Sequence, residues 1–241
     1  MRAKIEFATE KNTIIPFNHQ YPLALAICNI LKSIDKLQKY DKYEFFTFSL
    51  LQIPKREITK LGIKTLDGRI FLHIASPNNE FLKTFIKGIL ECESFKVDNI
   101  ELVPITLTFE DIPKQFNILK TISPIYLRTT IEENGKKKIY DLLPNHSKFY
   151  ENLKKNLKMK YEAFYNKKCN FDFDFEILKF KTKRMLVKNT YCRCTEMVFR
   201  VWGDYEIIKF GYECGFGEWN SMGFGMVIEG KDENNSGNNR S

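Results

Sequence analysis

The order in which two apolar periodicities alternate is the strongest constraint on how this chain can fold. "RAKIEFAT" (2–9) predicts a strand. Pro16, Asn18 and Pro22 then punctuate a loop, after which Leu23, Ala26, Ile27, Ile30, Leu31 and Ile34 recur at helical spacing. The aromatic-rich "EFFTFSLLQI" (44–53) predicts a second strand and "GRIFLHIAS" (68–76) a third. "EFLKTFIKGILE" (80–91) is an amphipathic helix, and "FKVDNIELVPI" (95–105) predicts a fourth strand. Strand, helix, strand, strand, helix, strand is the split β-α-β unit of the ferredoxin-like fold, which RNA-recognition modules also use.

The second half follows the same plan less cleanly. "FNILKTISPIYLRTT" (116–130) can hold a strand broken at Pro124. In "SKFYENLKKNLKMKYEAFY" (147–165), Phe149, Leu153, Leu157, Tyr161 and Phe164 form one helical stripe, with lysines expected opposite. "FDFDFEILKF" (171–180) alternates at period two, and "KRMLVKN" with "TEMVFRVWG" predicts a separate hairpin. "DYEIIKFGYECG" suits a short helix and "GFGMVIEG" a final strand. The expected fold class is α+β, two tandem ferredoxin-like (RRM-like) domains at 1–104 and 115–230, followed by a disordered tail at 231–241.

Of the chain's 241 residues 43% are apolar, including 21 phenylalanines, which supports packed cores. No run of about 18 apolar residues occurs, so no membrane span is expected, and the N-terminus reads as a strand rather than a signal peptide. Six cysteines stand at 28, 92, 169, 192, 194 and 214 without a Cys-x-x-Cys pair for zinc. They are expected to be reduced thiols of a cytoplasmic protein, with no metal and no cofactor, and Cys192 and Cys194 share a strand face. The net charge of +8 is uneven: 120–200 hold 19 Lys and Arg against 9 Asp and Glu. Such a field favours polyanions, with nucleic acid first among them.

Four of the twelve glycines, Gly215, Gly217, Gly223 and Gly225, fall within "ECGFGEWNSMGFGMV" (213–227). Glycine permits positive φ and close approach of another chain. One reading is a loop presenting backbone N–H groups to phosphate; the other is a tight turn packed against a helix. No Gly-Lys-Ser/Thr follows, so the stretch is not a P-loop. "YECGFGEWNSMGFGMV" resembles the C-terminal glycine-rich signature of the CRISPR-associated endoribonucleases that excise guide RNA from repeat transcripts, the sixth-numbered Cas family. "IPFNHQYPLALAICNILKS", "FFTFSLL", "TISPIYLR" and "VFRVWGD" are similar to that family's first helix entry, second strand, second-domain start and penultimate strand. The resemblance implies a pair of ferredoxin-like domains that bind CRISPR repeat RNA, with the glycine loop near the RNA and the first domain's helix. Other CRISPR effector subunits and a second copy of the chain are further implied partners; a membrane is not.

The family's reaction is metal-independent: a ribose 2′-hydroxyl attacks the adjacent phosphate, which calls for a base, an acid and charge stabilisation. Many members supply a tyrosine in the first helix and a histidine just past it. Here Cys28 holds the tyrosine place, and "KSIDKLQKYDKYEFF" (32–46) has no histidine. Cleavage is therefore expected to be weak or lost, with Lys36, Lys39, Tyr40 and Lys42 the remaining catalytic candidates. A protonated lysine can stabilise the phosphorane, while a tyrosine of pKa about 10 is a poor base. His19, His73 and His146 are expected to be structural. RNA-binding candidates are Lys36, Lys39, Lys42, Arg128, Lys183, Arg184, Arg193 and Arg200, through phosphate neutralisation, and Gly215, Gly217, Trp219, Gly223 and Gly225. Phe216 and Phe224 can stack on bases or plug the core, whereas Trp219 is expected to be the more exposed ring.

Overall fold

A computed structural model of the chain describes residues 1–34, 45–133 and 135–231. The expected tail lies outside these residues from 232 onward, as do Lys36, Lys39, Tyr40 and Lys42.

The first domain is built around β1 (Arg2–Ala8), which turns Ala3, Ile5 and Phe7 fully inward. A short β2 (Ile14–Ile15) precedes α1 (Gln20–Ile34), whose Pro22 sits in the first turn, where a missing N–H costs nothing. Next come β3 (Thr47–Phe48), β4 (Arg56–Ile58), β5 (Ile63–Thr65) and β6 (Arg69–Ala75). Helix α2 (Asn79–Glu91) is capped by the Asn78 side chain, which accepts from Glu80 and Phe81 N–H. β7 (Phe95–Val97) and β8 (Ile100–Glu110) complete a sheet ordered β3-β6-β1-β8-β7, the ferredoxin-like order, while β2-β5-β4 form a small accessory sheet. Two expectations change here. "FKVDNIELVPI" is a hairpin rather than one strand, because Asp98 at φ 55° reverses the chain between β7 and β8. Of "EFFTFSLLQI", Thr47–Phe48 forms the short strand and Gln52 makes an isolated bridge to Phe71 of β6; between them Leu50 N–H turns to bond Ile122 O of the second domain. β8 continues to Glu110, past residue 104, and the second sheet starts at Ile118.

The second domain repeats the topology with β9 (Ile118–Thr121), α3 (Lys148–Tyr165), β12 (Phe173–Val187), β13 (Thr190–Gly203), α4 (Tyr205–Cys214) and β14 (Val227–Glu229). Its sheet is ordered β12-β13-β9-β14, and a hairpin of β10 (Arg128–Glu133) and β11 (Lys136–Asp141) is inserted before α3. "FDFDFEILKF" and "KRMLVKN" are not separate strands but parts of β12, paired with β13 along its length. A bulge between Ile177 and Lys179 shifts the register, so the alternation breaks where the polar "KFKTKR" run begins. The chain therefore holds two tandem ferredoxin-like domains.

Candidate nucleic-acid interface

The glycine segment lies at the seam between the domains and is almost wholly buried. Its side toward the first domain is held by polar groups of α1 and β3. Gln20 Nε2 donates to Met222 O (2.9 Å) and Gly223 O (2.7 Å), and Thr47 Oγ1 to Phe224 O (2.9 Å). Nearby, buried Arg2 donates to Tyr212 O (3.1 Å) and Val227 O (2.9 Å). At Gly223 (φ 80°) a Cβ would stand 2.5 Å from the Phe48 ring, and at Gly225 (φ 76°) it would overlap the Phe216 carbonyl oxygen. The absent Cβ thus admits the protein's own first domain and backbone.

From the other side Lys160 of α3 reaches into the segment. Its ammonium donates to Gly215 O (2.6 Å), Gly217 O (3.0 Å) and Asn220 Oδ1 (2.8 Å), so all three protons are matched. Asn220 in turn donates Nδ2 to Phe216 O (3.2 Å) and Phe224 O (3.0 Å). Burial lowers the Lys160 pKa, and burial likewise pushes the adjacent Cys214 thiol up to about 11. The expectation of lysines opposite the apolar stripe of α3 fails at Lys160. Its spacing, three after Leu157 and seven after Leu153, is the signal that places it on the stripe itself.

Phe216 and Phe224 are fully buried core residues. Trp219 is half-buried, with its ring 4.7 Å from Tyr126 and the Arg128 guanidinium 5.0 Å above it. Glu218 is saturated by Arg128, accepting from its backbone N–H (2.9 Å), Nε (2.8 Å) and Nη2 (2.6 Å). Arg184 stacks at 3.8 Å on Tyr191, Arg193 N–H donates to Asp141 (2.8 Å), and Arg200 pairs with Glu176 (2.6 Å). Lys183 and Lys181 both pair with Glu196, at 2.8 and 2.9 Å. Burial raises the Glu196 pKa, but the two lysines outweigh it and leave that carboxyl below the usual range. Lys181, Lys179 and Lys120 border a shallow groove of about 230 Å³ on the second sheet. The candidate basic residues among those described thus lie along β10, β12 and β13, whereas the glycines face inward.

The described histidines are all engaged by the fold. His19 is buried, its Nδ1 bonds Pro16 O (2.7 Å), and its Nε2 accepts from Leu51 N–H (3.1 Å), which fixes a neutral ring. Burial lowers its pKa. His73 bonds Glu110 across the sheet at 3.0 Å, and His146 Nδ1 accepts from Lys148 N–H (3.2 Å) at the start of α3.

Tandem ferredoxin-like domains with a glycine segment buried at their seam, flanked by basic strands, define an α+β protein of two repeated modules. Two family models together match nearly the whole chain: CRISPR-associated protein Cas6, N-terminal, over residues 14–105, and CRISPR associated protein Cas6, C-terminal, over 108–228. The chain belongs to the Cas6 family. It is 60% identical to CRISPR-associated endoribonuclease Cas6 1 of Methanocaldococcus jannaschii, over 97% of this chain and 94% of that protein. A solved structure described as CRISPR associated protein Cas6 superposes with a TM-score of 0.90 at 59% identity, covering 96% of this chain and 99% of that one. Another, titled as a RAMP protein binding different RNA substrates, gives 0.88 at 32% identity, covering 96% and 100%.

Proposed function

We propose that the protein binds CRISPR repeat RNA in the cytoplasm and that its cleavage of that RNA is weak or lost. The observation that carries the second clause is the fate of the histidines: each one is tied to backbone or to a carboxylate, and His19 must stay neutral to accept the Leu51 bond. A general base lost from such a reaction costs about 10²–10⁴-fold. Binding draws on Arg128, Lys183, Arg184, Arg193 and Arg200, with Lys36, Lys39 and Lys42 completing the path from the first domain. The excess of positive charge between 120 and 200 and the exposure of β12 support this placement. Trp219 and the four glycines act in it by holding the seam on which these strands are mounted.

A second reading, an active endoribonuclease using Lys36, Lys39, Tyr40 and Lys42, is favoured by one finding: the 60% identical relative is named an endoribonuclease. Labelled repeat RNA incubated with the protein in EDTA decides between them. The first reading expects intact RNA or a trace of product; rapid formation of a discrete fragment ending in a 2′,3′-cyclic phosphate overturns it. Replacing Lys36, Lys39 and Lys42 together by Ala is expected to weaken binding and flatten its salt dependence. Other effector subunits and a second copy of the chain stay within the proposal as partners, with light scattering of the RNA-free and RNA-bound protein as the check.

A further inference from the structure

Between the β10–β11 hairpin and α3 lies a pocket of about 410 Å³, bounded at its inner end by Arg128 of β10 and Glu218 of the glycine segment. Its volume falls within the range of small-ligand sites, about 300–1,000 Å³. On the α3 side Asn152, Lys155, Asn156 and Met159 recur at i, i+3, i+4 and i+7, so one helix face lines it. On the hairpin side Thr130 and Ile139 are directly opposed partners. Met159 and Ile139 are 47% and 66% exposed, apolar groups held at a surface opening.

The polar groups of the pocket differ in how far they are satisfied. Asn152 Nδ2 donates to Arg128 O at 3.3 Å. Glu218, at the inner end, has its carboxylate saturated by Arg128, so it does not repel an anion as a free acid would. Asn156 Oδ1, by contrast, is buried and has no hydrogen-bond partner. An unmet buried acceptor is costly, and a ligand carrying an N–H donor recovers that cost. Lys155 is exposed at the rim and has no acidic partner among the described residues.

We propose that this pocket takes one unstacked nucleotide of a single-stranded RNA segment. Its base inserts between Met159 and Ile139, its phosphate lies against Lys155, and the Asn156 amide, whose Oδ1 is closed to solvent in the free protein, turns toward the opening to accept from the base's exocyclic amine. Adenine and cytosine carry such an amine where uracil has only a carbonyl. The inference rests on the reading of the chain as an RNA-binding protein, and it adds a base-reading subsite that meets the glycine segment at Glu218.

The test uses the full chain and a fluorescently labelled RNA with the CRISPR repeat of its own locus, in which single abasic positions are walked along the strand. With the native protein, one abasic position is expected to weaken binding about tenfold or more. In Thr130→Trp, which fills the opening from an exposed hairpin position, the same abasic change is expected to have no further effect. In Asn156→Leu, which removes the unmet polar atom from the wall, a uracil at that position is expected to bind as well as adenine or cytosine. If both variants bind the repeat with the native affinity and abasic profile, the pocket assignment is overturned while repeat binding stands. If the repeat binds no better than a scrambled RNA of equal composition, repeat binding falls and the subsite with it. Competition by millimolar AMP or CMP that depends on Thr130 and Asn156 but leaves the abasic profile flat would make a free mononucleotide the occupant and overturn the RNA assignment.

Discussion

The seam between the domains and the basic flank formed by β10, β12 and β13 are both rich in polar groups, yet they use them in opposite ways. At the seam, Lys160, Asn220, Gln20 and Thr47 aim buried donors at backbone carbonyls of the glycine segment. On the flank, Lys181, Lys183 and Arg200 meet carboxylate side chains near solvent. Removing a seam donor leaves a carbonyl unmet in a dry place, while removing a flank cation lets water in. Changes at the seam should therefore register in stability, and changes on the flank in RNA affinity and its salt dependence.

The severest challenge to that division is Gly225→Ala. A Cβ there meets the Phe216 carbonyl and lies 2.7 Å from Asn220 Nδ2, at a φ of 76° that alanine avoids. A loss of about 3–5 kcal/mol is expected in denaturant unfolding; a native-like midpoint would show that the segment yields and is not a rigid seam. Next in size is Lys160→Met, which strands three acceptors and is expected to cost about 3 kcal/mol. Because Lys160 and Asn220 share one network, Lys160→Met and Asn220→Ala together should cost about 1 kcal/mol less than their sum. Strict additivity would dissolve the network.

How far the sequence foretells these two regions differs for a physical reason. The tandem topology is legible because strand and helix periods alternate in a fixed order, and the glycine run carries the family. The inward role of those glycines is legible only as one of two readings, a tight turn packed against a helix, since the partners that fill the missing Cβ positions, Phe48 and the Phe216 carbonyl, are set by tertiary packing. Lysine usually faces solvent, and that habit hides Lys160 although its spacing points inward; its acceptors lie 55 or more residues further along the chain. The β10–β11 hairpin carries a short-range signal in Asn134-Gly135 between "RTTIEE" and "KKKIYD", beyond the strand expected to end at Thr130. The pocket has no signal of its own, because it exists only where that hairpin meets α3.

A milder probe of the seam's surroundings is pH. His19 has a folded pKa below its unfolded value of about 6.5, owing to burial. Above that value both states are neutral and the stability is complete. As pH falls below about 6.5 the unfolded chain takes up the proton first, so stability declines until the folded pKa is reached. Unfolding free energies measured from pH 7.5 to 5 should fall in this window, and His19→Gln should remove that part of the slope. A slope unchanged by the substitution would detach His19 from the effect.

The smallest stability effects belong to the flank. Lys183→Ala and Arg200→Ala each break a partly exposed ion pair, with Glu196 and Glu176, and should cost less than about 1 kcal/mol in unfolding. In RNA binding the same substitutions should stand out. For every phosphate of a single strand that is no longer neutralised, the slope of log affinity against log salt flattens by about 0.7, whatever the RNA sequence. The intramolecular carboxylates compete with phosphate for these cations, so the acid side gives the opposite sign. Glu196→Gln should strengthen binding and steepen the salt slope, because it frees Lys181 and Lys183 together. If Lys183→Ala leaves both affinity and slope untouched while Glu196→Gln only changes stability, these strands are an internally neutralised surface. The RNA path would then have to be sought at the β10–β11 hairpin and α3 instead.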